Sequence, residues 1–370
     1  MRLSNSSPAT SARRLVDRRG RLGTALFARR LVQAGFALTT VLVGVQFTRF
    51  VLAAQDTRLP LPERPPGVEA FLPISGLMGL RDWFHQGELN SIHPAASIIV
   101  LLAIVVSWLL RKSFCSWICP IGLLSEALAA LGRRIYGRNP RPWRALDVVL
   151  RSLKYVLLAF FLYAILTMHE IALRVFLESP YNRVADVKMG LFFVHASTVT
   201  VVVMAALVLG STLWTGTWCR YLCPYGALLG LFSRLSPTAV VRDTSTCIDC
   251  KGCDEVCMAN LNVSRVDVVR SPECTGCLDC VAACPVDDCL EVKVARRSMR
   301  PVWIGAAVVG LFVGGVLLAN ATGNWRNAMS DAEYVHRVQK LDDPTYAHPG
   351  ATGMPERTAG RRASRPGTER

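Results

Sequence analysis

The sequence predicts an α-helical polytopic membrane protein of about five transmembrane helices, with a small cysteine-rich α+β module inserted before the last of them. Three observations predict this class. Of 370 residues, 51% are hydrophobic, yet the formal net charge is +15. Soluble domains rarely combine the two, whereas a membrane protein with basic flanks does so naturally. Apolar stretches long enough to cross a bilayer recur along the chain, with Arg and Lys gathered at alternate ends. Eight of the thirteen cysteines fall between Cys247 and Cys284. Because the positive charge lies beside apolar spans, membrane lipid is its expected partner and no nucleic acid is expected.

The cysteines of the inserted segment read C-x2-C-x2-C-x3-C twice: Cys247, Cys250, Cys253 and Cys257, then Cys274, Cys277, Cys280 and Cys284, followed by Pro285. This is the spacing of the bacterial two-[4Fe–4S] ferredoxin, in which the fourth cysteine of each run ligates the other cluster. The expected ligand sets are therefore Cys247, Cys250, Cys253 and Cys284 for one cluster, and Cys274, Cys277, Cys280 and Cys257 for the other. A zinc site is the competing reading, but zinc sites place their ligands as two separated pairs. Between residues 242 and 293 there are ten Asp and Glu against five Lys and Arg. The module is thus acidic, although the chain is basic.

Taken in order, residues 1–30 form a basic segment with Arg13, Arg14, Arg18, Arg19, Arg21, Arg29 and Arg30. Residues 31–241 are expected to form a four-helix membrane domain. Its first span is Leu31–Ala54, read as an uncleaved anchor rather than a signal peptide because it exceeds a usual signal h-region and carries Arg49 near its end. Residues 55–91 are richer in acidic than basic groups and are expected outside. Within them, Ala70–Leu80 is apolar and is placed at the interface or dipping into the membrane. The second span is Ile92–Leu110, the third Val148–Met168 and the fourth Met189–Trp214. The ferredoxin segment occupies 242–295. A fifth span, 302–319, holds Gly310-x3-Gly314, a spacing that permits close helix packing. Residues 320–370 are polar, with an end expected to be disordered. The positive-inside rule then places the amino terminus and the clusters in the cytoplasm and the carboxyl terminus outside.

Residues 115–124, CSWICPIGLL, and 219–228, CRYLCPYGAL, share the pattern C-x-aromatic-x-C-P-x-G. Such a repeat points to two membrane hairpins of similar plan. In a helix, cysteines four apart lie on one face, and Pro120 and Pro224 kink or end the turn. Cys115, Cys119, Cys219 and Cys223 are therefore candidates for a second redox or metal site across a pseudo-twofold axis. Metal binding, dithiol exchange, contact with a quinone and plain packing all remain open for them.

His93, His169 and His195 fall near the expected outer ends of spans, with Glu170 beside the second. They are candidates for proton acceptors or haem ligands, with interfacial hydrogen bonding as the plainer expectation. Arg151 and Lys154 are expected to snorkel to lipid phosphates. Cys289 is expected to be a free thiol. The loop between the second and third spans, with Arg133, Arg134 and Arg138, is expected to hold the acidic module against the membrane face.

Two C-x3-C-P motifs after membrane hairpins, followed by two C-x2-C-x2-C-x3-C runs, resemble the NapH/NosR/CcoG group of membrane polyferredoxins. The resemblance covers about residues 31–319. One departure is Met258, where ferredoxin runs often carry proline after the fourth cysteine. The resemblance implies two cytoplasmic [4Fe–4S] clusters in the bacterial inner membrane and electron transfer between the quinone pool and a partner reductase. It leaves open whether the chain is itself the quinol-oxidising component of an oxidoreductase. No stretch matches the large outer flavin-binding domain of the NosR type, and the tail is short for the folded carboxyl-terminal domain of the CcoG type. An assembly factor delivering or reducing a metal such as copper is the alternative, and a redox-sensing membrane regulator is a third reading.

Overall fold

A computed structural model describes residues 8–56, 58–137 and 139–348. Its helices in chain order are α1 (Pro8–Gln55), α2 (Pro73–Gln86), α3 (Pro94–Leu110), α4 (Pro120–Tyr136), α5 (Arg144–Thr167), α6 (Glu170–Leu177), α7 (Pro180–Arg183), α8 (Ala185–Val194), α9 (Thr198–Leu213) and α10 (Pro224–Ser233). After these come the short α11 (Gly252–Glu255) and α12 (Asp279–Ala283), then α13 (Pro301–Ala321) and α14 (Asp331–Val338).

Three helical stretches are long and apolar enough to cross a membrane: Leu26–Gln55 within α1, α5 and α13. A fourth crossing is counted if α8 and α9, bent by 79° at the break between them, are one span. The expected second span is α3, at 17 residues a rod of about 25 Å against a hydrocarbon core of about 30 Å. The expected fourth span is thus broken and the second short. The break coincides with Ser197, whose side chain caps the amide of Thr200 and starts a new helix. The apolar segment within 55–91 is α2, which packs on α3 through small residues. A Cβ at Gly76 would lie 2.6 Å from the carbonyl oxygen of Ala96, so the two backbones are in direct contact.

The polar tail is only partly irregular. Tyr334 and Val338 of α14 are buried beside Phe47, Phe50 and Val51 of α1. The end of the tail, from residue 349, lies outside the described residues. A Cβ at Gly310 or Gly314 would meet nothing within 4 Å among the described residues, whereas Gly305 packs against the ring of Trp117.

Between α10 and α13 lies a four-stranded antiparallel sheet of order β2-β1-β3-β4, made of β1 (Thr238–Arg242), β2 (Val268–Val269), β3 (Leu290–Val294) and β4 (Arg297–Ser298). Val240 of β1 pairs with Val269 and Val292 of its two neighbours. Alternation buries Leu290 and Val292 on the face that meets α3 and α13. The core of this module and the ends of α3 and α13 form one hydrophobic cluster, so the module is seated on the helices rather than hung from them.

The contacts that seat it depart from the charge-loop expectation. Arg111, 2% exposed, donates to the carbonyls of Ser233 (3.1 Å), Val269 (2.9 Å) and Ser271 (2.8 Å). Lys154 does not snorkel: it is fully buried and pairs with Glu273 at 2.5 Å, while Tyr155 donates to the same carboxylate at 2.9 Å. Arg151 pairs with Asp147 at 3.0 Å. Glu273 displaces lipid phosphate as the partner of Lys154 because the module covers the start of α5. At the other flank Arg29 bridges Glu126 and Asp279, each at 3.1 Å. Arg141 of the basic loop donates to the Asp254 carbonyl. Arg133 and Arg134 are exposed, and Arg138 lies outside the described residues.

A buried pair of this kind is costly to break and cheap to replace whole. Glu273→Gln is expected to destabilise the protein in detergent by about 3–5 kcal/mol, read by chemical denaturation, because it strands the Lys154 ammonium. Adding Lys154→Met should recover most of that loss. Equal losses in the single and double variants would show that the pair does not couple module to membrane.

Candidate functional site

Each cysteine run wraps through the same backbone conformation. The residues on either side of its second cysteine have positive φ: Asp249 (51°) and Lys251 (58°) around Cys250, and Gly276 (64°) and Leu278 (68°) around Cys277. Side chains other than glycine resist this region, and such strain persists where the surroundings enforce it, as at ligand clamps. Lys251 and Leu278 then start the short helices α11 and α12, which carry the third cysteines.

The eight thiols fall around two cavities. One is lined by Cys257, Cys274, Cys277 and Cys280, together with the apolar side chains of Val240, Leu261, Val263, Val269 and Leu278. The other is lined by Cys247, Cys250, Cys253 and Cys284, with Arg242, Lys251 and Ser264 among its walls. In each, three cysteines come from one run and the fourth from the other. Four thiols around an apolar hollow form a donor set suited to an iron–sulfur cluster. Among the described residues, no three Cys, His, Asp or Glu side chains converge on a position for a single metal ion. Burial pushes the Cys277 and Cys280 thiols well above their ordinary range and Cys253 up to about 11. Metal binding must therefore displace protons from these groups.

The cavities differ in setting. The Cys257/Cys274 cavity lies against the helices. Trp117, 1% exposed, donates its indole N–H to the Gly276 carbonyl at 3.2 Å, and Ser116 donates to the Thr275 carbonyl at 2.6 Å. The Cys247/Cys284 cavity lies at the free edge of the module, where Ile248, Asp249, Cys250 and Lys251 are exposed. Cys289, expected as a free thiol, is bonded to no other cysteine and is buried in the wall of this second cavity. Its environment raises it to about 11, through burial first and then Cys284 and Cys247. The five-residue offset from Cys284 gave no sign of this, because the turn at Asp288, with φ of 59°, is what brings it back.

The C-x3-C-P repeats adopt one local structure twice. Phe114–Ile118 and Trp218–Leu222 are π turns, closed by Cys119 N–H to Phe114 O and Cys223 N–H to Trp218 O, each 3.0 Å. The expected α-helical face is thus a wider π turn, a form found mostly as a local bulge at functional sites. The second cysteine of each motif is the N-cap of the next helix, and its proline takes the first helical position, where a missing N–H costs nothing. A Cβ at Gly122 would collide with the Cys115 carbonyl, which explains the glycine two residues past the proline. The four thiols are half-buried. Cys115 interacts electrostatically with Cys119, Cys219 and Cys223, and Cys219 with Cys119 and Cys223. Across the repeat, Cys219 Sγ lies 4.0 Å from the Ile121 carbonyl oxygen. Tyr225 interacts with Cys115, Cys119 and Cys223.

The three histidines do not share a site. His93 is buried between Glu69 (3.3 Å) and the Asn182 carbonyl (2.6 Å), in a network completed by Arg64, Asp186 and Tyr334. His169 caps the start of α6, and His195 is exposed at the end of α8. Arg64, read in the sequence as one of the few basic groups of residues 55–91, and Asp186 meet at 2.7 Å across a separation of more than a hundred residues; no local pattern announces such a pair.

A 4Fe-4S binding domain family matches residues 92–139 and again 196–241, and a 4Fe-4S dicluster domain family matches residues 239–285. The chain is 40% identical over 278 residues to YccM of Escherichia coli (strain K12), named as an electron transport protein; the match covers 73% of this chain and 78% of YccM. It is 26% identical over 291 residues to the ferredoxin-type protein NapH of Haemophilus influenzae, covering 74% and 90% of the two chains. To the regulatory protein NosR of Pseudomonas aeruginosa it is 25% identical over 194 residues, 51% of this chain and 26% of NosR. No solved structure matches.

Seating at the first π turn has a direct test. A Cβ at Gly276 would come within 2.5 Å of Ser113 Oγ and 3.3 Å of the Leu110 carbonyl oxygen, at a φ of +64°. Gly276→Ala should cost about 1–3 kcal/mol and expose the 270–285 segment to protease under conditions where the parent resists. Unchanged protection would mean that the loop does not bear on the turn.

Proposed function

The chain belongs to the NapH/NosR-type membrane polyferredoxins, and we propose that it passes single electrons between the quinone pool and a partner reductase system at the cytoplasmic face of the bacterial inner membrane. The observation that carries this reading is the pair of four-thiol cavities at different depths, one against the helices and one at the free edge. On this reading Cys257, Cys274, Cys277 and Cys280 hold a [4Fe–4S] cluster near the membrane. Cys247, Cys250, Cys253 and Cys284 hold a second one facing the aqueous partner. A cluster so held supplies one-electron chemistry at each position.

The chain's own residues set the conditions. The apolar wall of the near cavity excludes water, and the Leu261 amide lies 3.4 Å from Cys257 Sγ. Amide contacts of this kind and low solvent exposure are among the factors that tune a cluster's potential. At the far cavity, exposed Ile248 and Lys251 offer a mixed surface suited to a transient redox partner. The alternating Arg and Lys at span ends favour the cytoplasm for the module. The network around Arg64, Glu69, His93 and Asp186 then falls at the periplasmic end, about 30 Å away, and serves as structure rather than as the electron entry point.

Protein purified without oxygen and mixed with a quinol analogue should develop reduced-cluster signals in electron paramagnetic resonance. Cys274→Ser should remove one cluster's signal and Cys250→Ser should alter the other's. Clusters that assemble but stay oxidised at every quinol potential tried would contradict electron entry from the quinone pool.

A further inference from the structure

The 4Fe-4S binding domain family matches this chain twice, yet residues 92–139 contain just Cys115 and Cys119, and residues 196–241 just Cys219 and Cys223. Two thiols do not complete a four-cysteine cluster site. Neither copy can therefore hold a cluster by itself. The fold brings the two copies together: α4 of the first packs on α9 and on the second π turn, and Cys219 Sγ lies 4.0 Å from the carbonyl oxygen of Ile121, two residues past Cys119. Each thiol pair is set by the same device, a π turn broken at a cysteine N-cap and followed by proline. In the second copy the Gly226 amide donates to Cys223 Sγ at 3.2 Å.

The surroundings are those of a built redox position rather than a packing core. Phe114 and Tyr225 meet edge to face at 6.0 Å and close one side. Lys112 interacts with Cys115, Cys219 and Cys223, and Lys154 with Cys223, so two ammonium groups offset the charge that four thiolates bring. Both lysines also reach Glu273, beside Cys274. Ser116, between Cys115 and Cys119, donates to Thr275, between Cys274 and Cys277. The first π turn and the two lysines are thus joined, through the Ser116 and Trp117 hydrogen bonds and the two ion pairs to Glu273, with the loop that forms the near cavity. No such joinery is needed for four cysteines that merely fill space.

We propose that Cys115, Cys119, Cys219 and Cys223 jointly ligate one further iron–sulfur cluster, built across the pseudo-twofold axis between the two membrane repeats and adjoining the cavity of Cys257 and Cys274. On binding, the four thiols lose their protons to solvent and their sulfurs bond iron. The proposal does not require that the electron donor be a quinol; it deepens the electron-transfer reading by giving the membrane repeats a part in it.

The test is iron and acid-labile sulfide per chain in the full-length protein, purified without oxygen in detergent, with electron paramagnetic resonance as second readout. The parent should hold roughly twelve iron atoms if the shared cluster has four irons, or roughly ten if it has two, and Cys115→Ser/Cys119→Ser about eight, while the two ferredoxin-type signals persist. Because the site is shared, Cys219→Ser/Cys223→Ser alone should remove the same iron, and combining both pairs should remove no more. Persisting ferredoxin signals show that each variant is folded, and they separate this outcome from failure of the two-cluster reading. About eight iron atoms in the parent, additive losses from the two pairs, or zinc or copper bound at the quartet without sulfide would each overturn the proposal.

Discussion

The seating of residues 271–276 on the first π turn is the constraint on which the rest of this structure depends. Arg111 ends α3 with a φ of 61°, a conformation a side chain other than glycine adopts only under constraint. That turn aims its guanidinium at three carbonyls of the module and of the α10 end. The same corner presents Ser113, Ser116 and Trp117 to the backbone of Thr275 and Gly276. The Arg111 NH1 and NH2 groups, the Ser116 hydroxyl and the Trp117 indole N–H all find carbonyl partners across the seam, which is what makes a dry junction between module and helices tolerable, while Arg111 Nε is left without one. The ion pair of Lys154 with Glu273 locks the other side. Remove this junction and the module becomes a tethered ferredoxin whose distance from the membrane varies; keep it and that distance is fixed.

Two internal repeats of different scale meet at this junction. The membrane repeat supplies two π turns with two thiols each, and the module supplies two cysteine runs with matching positive-φ residues. On the proposal above, a ligand set in both is completed by residues from the other copy. In the module that exchange is visible in the cavities, where Cys284 joins the first run and Cys257 the second. Sharing ligands between copies couples their folding, because neither copy satisfies its own thiols. It also places the two cavities of the module at a separation set by covalent chain rather than by docking.

Much of this was legible in the sequence, for reasons tied to particular residues. Cysteine spacing is a local code, so the two runs and their exchange could be read directly, as could the C-x3-C-P repeat. Apolar length located the segments of α1, α5 and α13. The break between α8 and α9 was hidden because Ser197 and Thr198 interrupt an apolar run without a proline or glycine to mark it. The π turns were hidden because a one-residue widening leaves no periodicity of its own at this length. Lys154 read as a snorkelling residue because a cation at a span end normally meets phosphate; its carboxylate partner lies 119 positions away. The meeting of Arg64, Glu69 and Asp186 escaped for the same reason. Long-range ion pairs are decided by packing, and packing is what a single sequence states least directly.

The central claim is that the junction holds one thiol cavity at the membrane surface and the other at the aqueous edge. A membrane-impermeant paramagnetic chelate, added to the anaerobically reduced protein in open bilayer discs, reads this directly through the relaxation of each cluster's resonance. The account predicts strong relaxation of the signal altered by Cys250→Ser and weak relaxation of the signal removed by Cys274→Ser. Equal relaxation of both signals, or the reverse order, would contradict it.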